Sequence, residues 1–213
     1  MLASKTVTEL LEAFASPTPT PGGGSAAALA GAVAASLLAM VAAMPKTKNG
    51  TEEDRMMLAA TLDDLVRLRQ MLTDLIDRDS ASYEGVVAAY RLPKATDEEK
   101  AARKRAVQDA MRVATDVPME TARASASLIT IARVVAERGN PNAKSDTAVA
   151  VQMAQVGMGG ALANVEVNVD SVGDEAYATR LRNELEVMKT TVGVLLLPIY
   201  TALGWQGHTA PRG

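Results

Sequence analysis

Residues 17–44 read PTPTPGGGSAAALAGAVAASLLAMVAAM, a Pro/Gly turn that opens onto a helix made mostly of alanine, without one charged side chain. Small side chains let a second backbone come very close, so this helix belongs in a packed interior or an interface. The glycines Gly22, Gly23 and Gly24 can take positive φ and leave main-chain N–H groups bare at the helix start, where an anionic or electron-rich group can bind. With Ser25 as N-cap, the same turn also serves as nothing more than a tight helix entry. It lacks the preceding strand of a dinucleotide fold and the Gly-Lys-Ser/Thr ending of a P-loop, which sets nucleotide binding aside. The run from Ser25 to Met44 has the length of a membrane span. Alanine, serine and glycine make a poor lipid-facing surface, however, and close helix packing accounts for them better.

Working outward, Thr6-Val7-Thr8-Glu9 has the form of a capping box before a short helix to Ala15 that Pro17 ends. Pro45 to Gly50 is a polar turn. Thr51 to Leu92 then carries Leu65, Leu68, Leu72, Leu75, Ile76, Tyr83, Val86, Val87 and Tyr90 at spacings of three and four, a long helix stopped by Pro93. A second long helix runs from Thr96 to Arg138, bent or broken at Pro118, and Gly139-Asn140-Pro141 closes it. Lys144 to Ser171 and Asp174 to Leu203 complete the set. The alternation Val165-Glu166-Val167-Asn168-Val169 is too short and too embedded to displace a helix. The expectation is all-α: one domain over residues 1–213, a multihelical up-and-down bundle of long antiparallel helices, with a flexible tail from 204. Ala/Gly faces on such helices pair with more than their own neighbours, so a twofold homodimer is expected.

Composition agrees. The 213 residues are 48% hydrophobic but only 3% aromatic, the palette of packed helices. A net charge of −3 with no basic segment disfavours nucleic acid. Cysteine is absent, which excludes thiolate nucleophiles and Cys-ligated metals. The single histidine, His208, lies in the tail GWQGHTAPRG, so no His-based or metal site is expected. Lys5 and Glu9 interrupt the place of a signal-peptide apolar stretch, which reads as a cytoplasmic protein without a membrane partner.

On the long helix, at about 100° per residue from Leu72, Asp79 falls at about −20°, between Leu75 and Ile76. Asp79 therefore sits inside the apolar stripe, with Asp77 directed away to solvent. A carboxylate on a buried face must be paired or shift its pKa until it is neutral, and both outcomes suit an acid or a base. The competing reading is an aspartate bonded to a hydroxyl or capping another helix. Ser82 and Tyr83 are its candidate local partners. On the Lys144–Ser171 helix, Asp146 and Asn164 share one direction with Met153 and Gly160 between them, and Asn168 lies about 40° further round. Asp146 also suits a helix first turn with no ligand, and Asn164 an interhelical hydrogen bond. Arg91 and Lys94 flank the Leu92-Pro93 stop and also read as solvated charges.

The ordered set Pro-Thr-Pro-Gly-Gly-Gly-Ser (19–25), Ile-Asp-Arg-Asp-Ser (76–80), Tyr-Arg-Leu-Pro-Lys (90–94), Val-Pro (117–118), Gly-Asn-Pro-Asn-Ala-Lys-Ser-Asp (139–146) and Asn-Val-Glu-Val-Asn (164–168) resembles the formiminotransferase-cyclodeaminase C-terminal family. That family includes stand-alone methenyltetrahydrofolate cyclohydrolases. The likeness spans Thr6 to Lys189. It implies an all-helical dimer acting on one-carbon tetrahydrofolates, with Asp79 at the position of the catalytic aspartate and the Gly-rich turn in the folate site. The substrate-binding set is then Pro21, Gly22, Gly23, Gly24 and Ser25 with Lys94, Asp146, Asn164 and Asn168. No cofactor beyond the tetrahydrofolate substrate is implied. Hydrolysis of 5,10-methenyltetrahydrofolate to 10-formyltetrahydrofolate is the expected reaction. Cyclodeamination of formiminotetrahydrofolate, fed by a separate formiminotransferase, is the alternative, and a non-catalytic folate-binding or interaction protein is the third reading. The apolar stretch Val192 to Leu203, with Pro198 in it, departs from the family pattern.

Overall fold

The computed structural model describes residues 1–205, and all regular structure among them is helical. Six helices, α1 (Val7–Ala15), α2 (Gly23–Ala42), α3 (Glu52–Tyr90), α4 (Asp97–Arg138), α5 (Lys144–Val169) and α6 (Glu175–Leu203), are joined by short connections; 3-10 turns precede α1, α5 and α6. Local chemistry starts and stops these helices. Thr6 with Glu9 and Thr96 with Glu99 form capping boxes, and Thr51 and Asp174 each accept a main-chain N–H from the first turn they cap. Gly50, Gly173 and Gly204 supply the positive φ that the breaks require. The expectations for His208 and for the tail beyond Trp205 lie outside the described residues. Trp205 itself packs edge-on against Tyr200.

Helices α2 to α5 make an up-and-down bundle in which α2 packs on α3, α4 and α5, and α6 lies along α4 and α5. The antiparallel sense of α2 and α3 is read from Gly24 beside Asp79 and Gly31 beside Leu72. The small residues of α2 act inside one chain. A Cβ on Gly31 would lie 2.9 Å from Leu72 Cδ2, and one on Gly157 would lie 2.8 Å from Ser125 Oγ and 3.0 Å from the Ala27 carbonyl. The α2–α5 crossing is thus close because glycine faces alanine, and Gly160, whose Cβ would sit 3.2 Å from that of Ala27, belongs to this intrachain seam rather than to an outer face. By length and composition alone, α2, the stretch from Pro141 to Val172 and α6 are each apolar enough to cross a bilayer. For α2, burial among three neighbouring helices explains that apolarity.

Several local expectations are corrected. Gly22 is the N-cap of α2 and Ser25 lies within its first turn; none of Gly22, Gly23 and Gly24 has positive φ. Pro118 sits inside a continuous α4. Proline has no N–H for the carbonyl four residues back, and that carbonyl, Ala114 O, instead accepts from Asn168 Nδ2 of α5 at 2.8 Å. A tertiary contact replaces the missing helical bond, so no break is needed. Asp77 is not free in solvent: it is half-buried and accepts the main-chain N–H groups of Leu2 and Ala3, pinning the N-terminal turn to α3. Finally, the apolar stripe of α3 is buried from Leu58 to Ile76, but Tyr83 and Tyr90 are exposed. The reason is length. α2 spans about 30 Å and α3 nearly twice that, so α3 runs on past the end of its partner.

The opposite end of the bundle is closed by Asp54, whose carboxylate is fully buried and accepts from the Asn49 N–H at 2.9 Å and from Arg138 at 3.0 Å. Burial alone would raise its pKa, but the Asn49 N–H and the Arg138 guanidinium outweigh burial and hold it below the ordinary carboxylate value. A depressed pKa contributes stability that is complete above the unfolded-state value of about 4 and is lost as pH falls through the folded one. Asp54→Asn should therefore be markedly less stable than wild type at pH 7, with the gap narrowing towards pH 3. Denaturant titrations of both proteins at the two pH values check this; a gap that is constant with pH would contradict it.

Candidate active site

Where α3 outruns α2, the step leaves a cavity of about 310 Å³. The Pro19–Gly24 turn forms one wall, α3 contributes Asp79, Ser82, Tyr83 and Val86, α4 contributes Met111 and Ala114, and α5 contributes Asn164 and Asn168. Among the described residues Asp79 is the one charged residue that lines it. A larger groove of about 460 Å³ lies between α3 and α4, but its Glu120 and Arg123 are committed to ion pairs with Arg78 and Glu184 and its Asp64 to one with Arg67. The smaller cavity is the better seat for chemistry.

The half-buried Asp79 carboxylate faces the first turn of α2. Its Oδ2 lies 3.0 Å from Ser25 Oγ, and it occupies the space that a Cβ on Gly24 would need, 2.0 Å from Asp79 Oδ1. Glycine at 24 is required by this approach and not by its backbone angles. Burial raises the pKa of Asp79, while the Ser25 hydroxyl and main-chain N–H pull it part of the way back. The result is a carboxyl that holds a proton more readily than an exposed aspartate and is the stronger base once ionised. Both competing readings of Asp79 thus describe real contacts, a hydroxyl bond and a helix N-terminus, yet they leave it facing a cavity. The expected local partners do not serve it: Ser82 donates to the Asp79 main-chain carbonyl at 2.7 Å, and Tyr83 stands exposed in the cavity wall.

Asn164 Nδ2 donates to Gly160 O and Asn168 Nδ2 to Ala114 O, each at 2.8 Å. These bonds fix both amides, and among the described residues neither Oδ1 accepts a hydrogen bond. Each is an available acceptor in the cavity wall. Gly22, Gly23 and Gly24 line the same space, while Pro21 shapes the turn through a cis Thr20–Pro21 bond without lining it. Ser25 is fully buried and engaged with Asp79, and it does not line the cavity. Lys94 is exposed in the connection after α3 and does not reach the cavity. Asp146 is in the first turn of α5, about 27 Å along the axis from Asn164. They share a direction but not a level. Met111 and Ala114 give no sign of themselves in the sequence because an apolar pair carries no chemical signal, although Pro118 marks Ala114 as the residue whose carbonyl it frees. Among the described residues no three His, Cys, Asp or Glu side chains converge as a metal cluster.

Residues 6–187 match the family model described as formiminotransferase-cyclodeaminase. The chain is 41% identical over 200 residues to a methenyltetrahydrofolate cyclohydrolase of Methylorubrum extorquens, covering 94% of this chain and 96% of that protein. It is 32% identical over 203 residues to the formimidoyltransferase-cyclodeaminase of Sus scrofa, of which it spans only 37%. The crystal structure of a formiminotetrahydrofolate cyclodeaminase from Thermotoga maritima superposes with a TM-score of 0.84 at 26% identity, over 96% of this chain and 98% of that one. A match over most of the length, in sequence and in fold, makes this chain a member of the formiminotransferase-cyclodeaminase family.

Proposed function

We propose that the protein hydrolyses 5,10-methenyltetrahydrofolate to 10-formyltetrahydrofolate, with Asp79 as general base. The observation that carries this reading is a single carboxylate, desolvated and hydrogen-bonded, in a cavity otherwise free of charge among the described residues. The substrate's reacting carbon bridges N5 and N10 and is cationic, so an ionised Asp79 complements it. Water adds to that carbon and gives one proton to Asp79. In the ring-opening step the new hydroxyl becomes the formyl oxygen, its proton leaves, and Asp79 returns a proton to N5 as the C–N5 bond breaks. One proton is released overall, as the loss of the substrate's positive charge demands. Water and a carboxylate suffice, so the reaction needs no cofactor beyond the folate itself.

Asn164 and Asn168 supply carbonyl acceptors for the pterin's N–H groups, and the Gly22–Gly24 turn lets the ligand approach the backbone. The 41% identity to a cyclohydrolase over nearly the whole of both chains favours hydrolysis. The fold match to a cyclodeaminase supports the second reading, in which N10 attacks the formimino carbon, ammonia leaves, and a separate formiminotransferase supplies the substrate. We also assign a twofold dimer, supported by exposed apolar residues on α2 (Val33, Met40), α5 (Val156) and α6 (Val187, Val194, Leu197), which sedimentation velocity would read. A cytoplasmic location accords with this chemistry on a soluble folate.

The deciding experiment gives the purified protein methenyl- and formiminotetrahydrofolate side by side. Loss of methenyl absorbance well above the spontaneous rate, with little ammonia from the formimino compound, is expected. Dominant ammonia release would establish the deaminase instead, and tight folate binding without turnover of either would leave a binding protein.

A further inference from the structure

We propose that Ser25 is a positioning residue that lets Asp79 take up and give back a proton without losing its hydrogen bond. The inference rests on the reading of Asp79 as the base. Ser25 Oγ is fully buried and stands 3.0 Å from Asp79 Oδ2, 2.8 Å from the Ile76 carbonyl and 3.2 Å from Ser80 Oγ. A hydroxyl has one proton, and here two acceptors compete for it. With Asp79 ionised, Ser25 donates to the carboxylate, and Ile76 O keeps the helical bond it has within α3. Once Asp79 has accepted a proton from water, Oδ2 becomes the donor, Ser25 Oγ the acceptor, and the serine proton turns onto Ile76 O. Only a hydroxyl rotation separates the two arrangements, and Ser80 can donate to Ser25 Oγ when that oxygen has an acceptor site to spare.

Alanine at 25 would leave a protonated Asp79 without this acceptor and an ionised one without this donor, in a site where an unpaired polar group is costly. Among the described residues the neighbourhood contains no rival switch. α2 has no charged residue, α4 presents Met111 and Ala114 and α5 presents Asn164 and Asn168. On α3, Tyr83 stands in the cavity wall and Asp77 is held by Leu2 and Ala3.

Ser25→Ala should lower kcat about tenfold with KM little changed, and should displace the acid limb of the kcat–pH profile upward by about half a unit or more, because a donor to the carboxylate is lost. Ser25→Thr, which keeps a hydroxyl, should restore the inflection. A folded alanine variant with wild-type kcat and an unmoved inflection would overturn the proposal. The wild-type protein gives a second test that needs neither variant folding nor turnover. Carbon-13 NMR should show Ser25 Cβ and the Asp79 carboxyl moving with one common inflection, and a Ser25 signal that stays still while Asp79 titrates would also overturn it. Full turnover by Asp79→Asn would sink the general-base reading instead, so the two failures are distinguishable.

Discussion

Asp79→Asn should lower turnover of methenyltetrahydrofolate by ~10²-fold or more while folate binding persists. Asparagine keeps the shape of the side chain and can still accept from the Ser25 N–H, but it cannot take a proton from water. Its stability should move the other way. Because burial raises the pKa of Asp79, the folded protein favours the protonated form, and the cost of the buried carboxylate appears as pH rises through that folded-state value. At neutral pH the neutral amide avoids this cost, so the variant should unfold at no lower denaturant concentration than wild type. Steady-state kinetics, folate titration and a denaturant melt read the three parts. Near-normal turnover would remove Asp79 from the chemistry, and a large loss of stability would show that the carboxylate serves the fold.

Gly24→Ala should be nearly as damaging, for a steric reason. Its Cβ would fall 2.0 Å from Asp79 Oδ1 and 2.5 Å from Cγ, so either the carboxylate leaves its place beside Ser25 or the start of α2 shifts. Both displace the base, and misplacement of about 1 Å can cost ~10²-fold in rate. Overpacking adds a stability loss of about 1–3 kcal/mol. Gly23→Ala is the comparison: a Cβ there would meet only Asn164 Nδ2, at an ordinary 3.8 Å, so it leaves Asp79 in place and should act on KM through the cavity wall rather than on kcat, and positive φ is not required at either position. Kinetics of the two variants together decide the point, since equal damage from both would make the turn's glycines a matter of backbone freedom, as their sequence first suggests.

About half of the candidate site is legible in the sequence. Asp79 stands out because a carboxylate inside an apolar stripe is a local anomaly that periodicity exposes. Asn164 and Asn168 emerge from their shared helix face. The same projection misplaces Asp146, because a helical wheel preserves direction and discards the axial coordinate. Lys94 comes from a motif without any geometry behind it. Ser25 is visible in the sequence in a different role, as a hydroxyl that caps its own helix. Which hydroxyl meets which carboxylate depends on how α2 and α3 are aligned.

By itself, the sequence determined the six helices, most of their starts and stops, and the all-α class, since each rests on interactions within a few residues: capping boxes, prolines, and apolar spacings of three and four. Only the tertiary structure decided where the cavity lies and what faces it. That depends on α2 being about half as long as α3, on the Gly31–Gly157 crossing that brings α2 and α5 together, and on Asn168 replacing the bond that Pro118 cannot make. These are relations between levels on different helices, and spacing along one chain does not encode the height at which two helices meet.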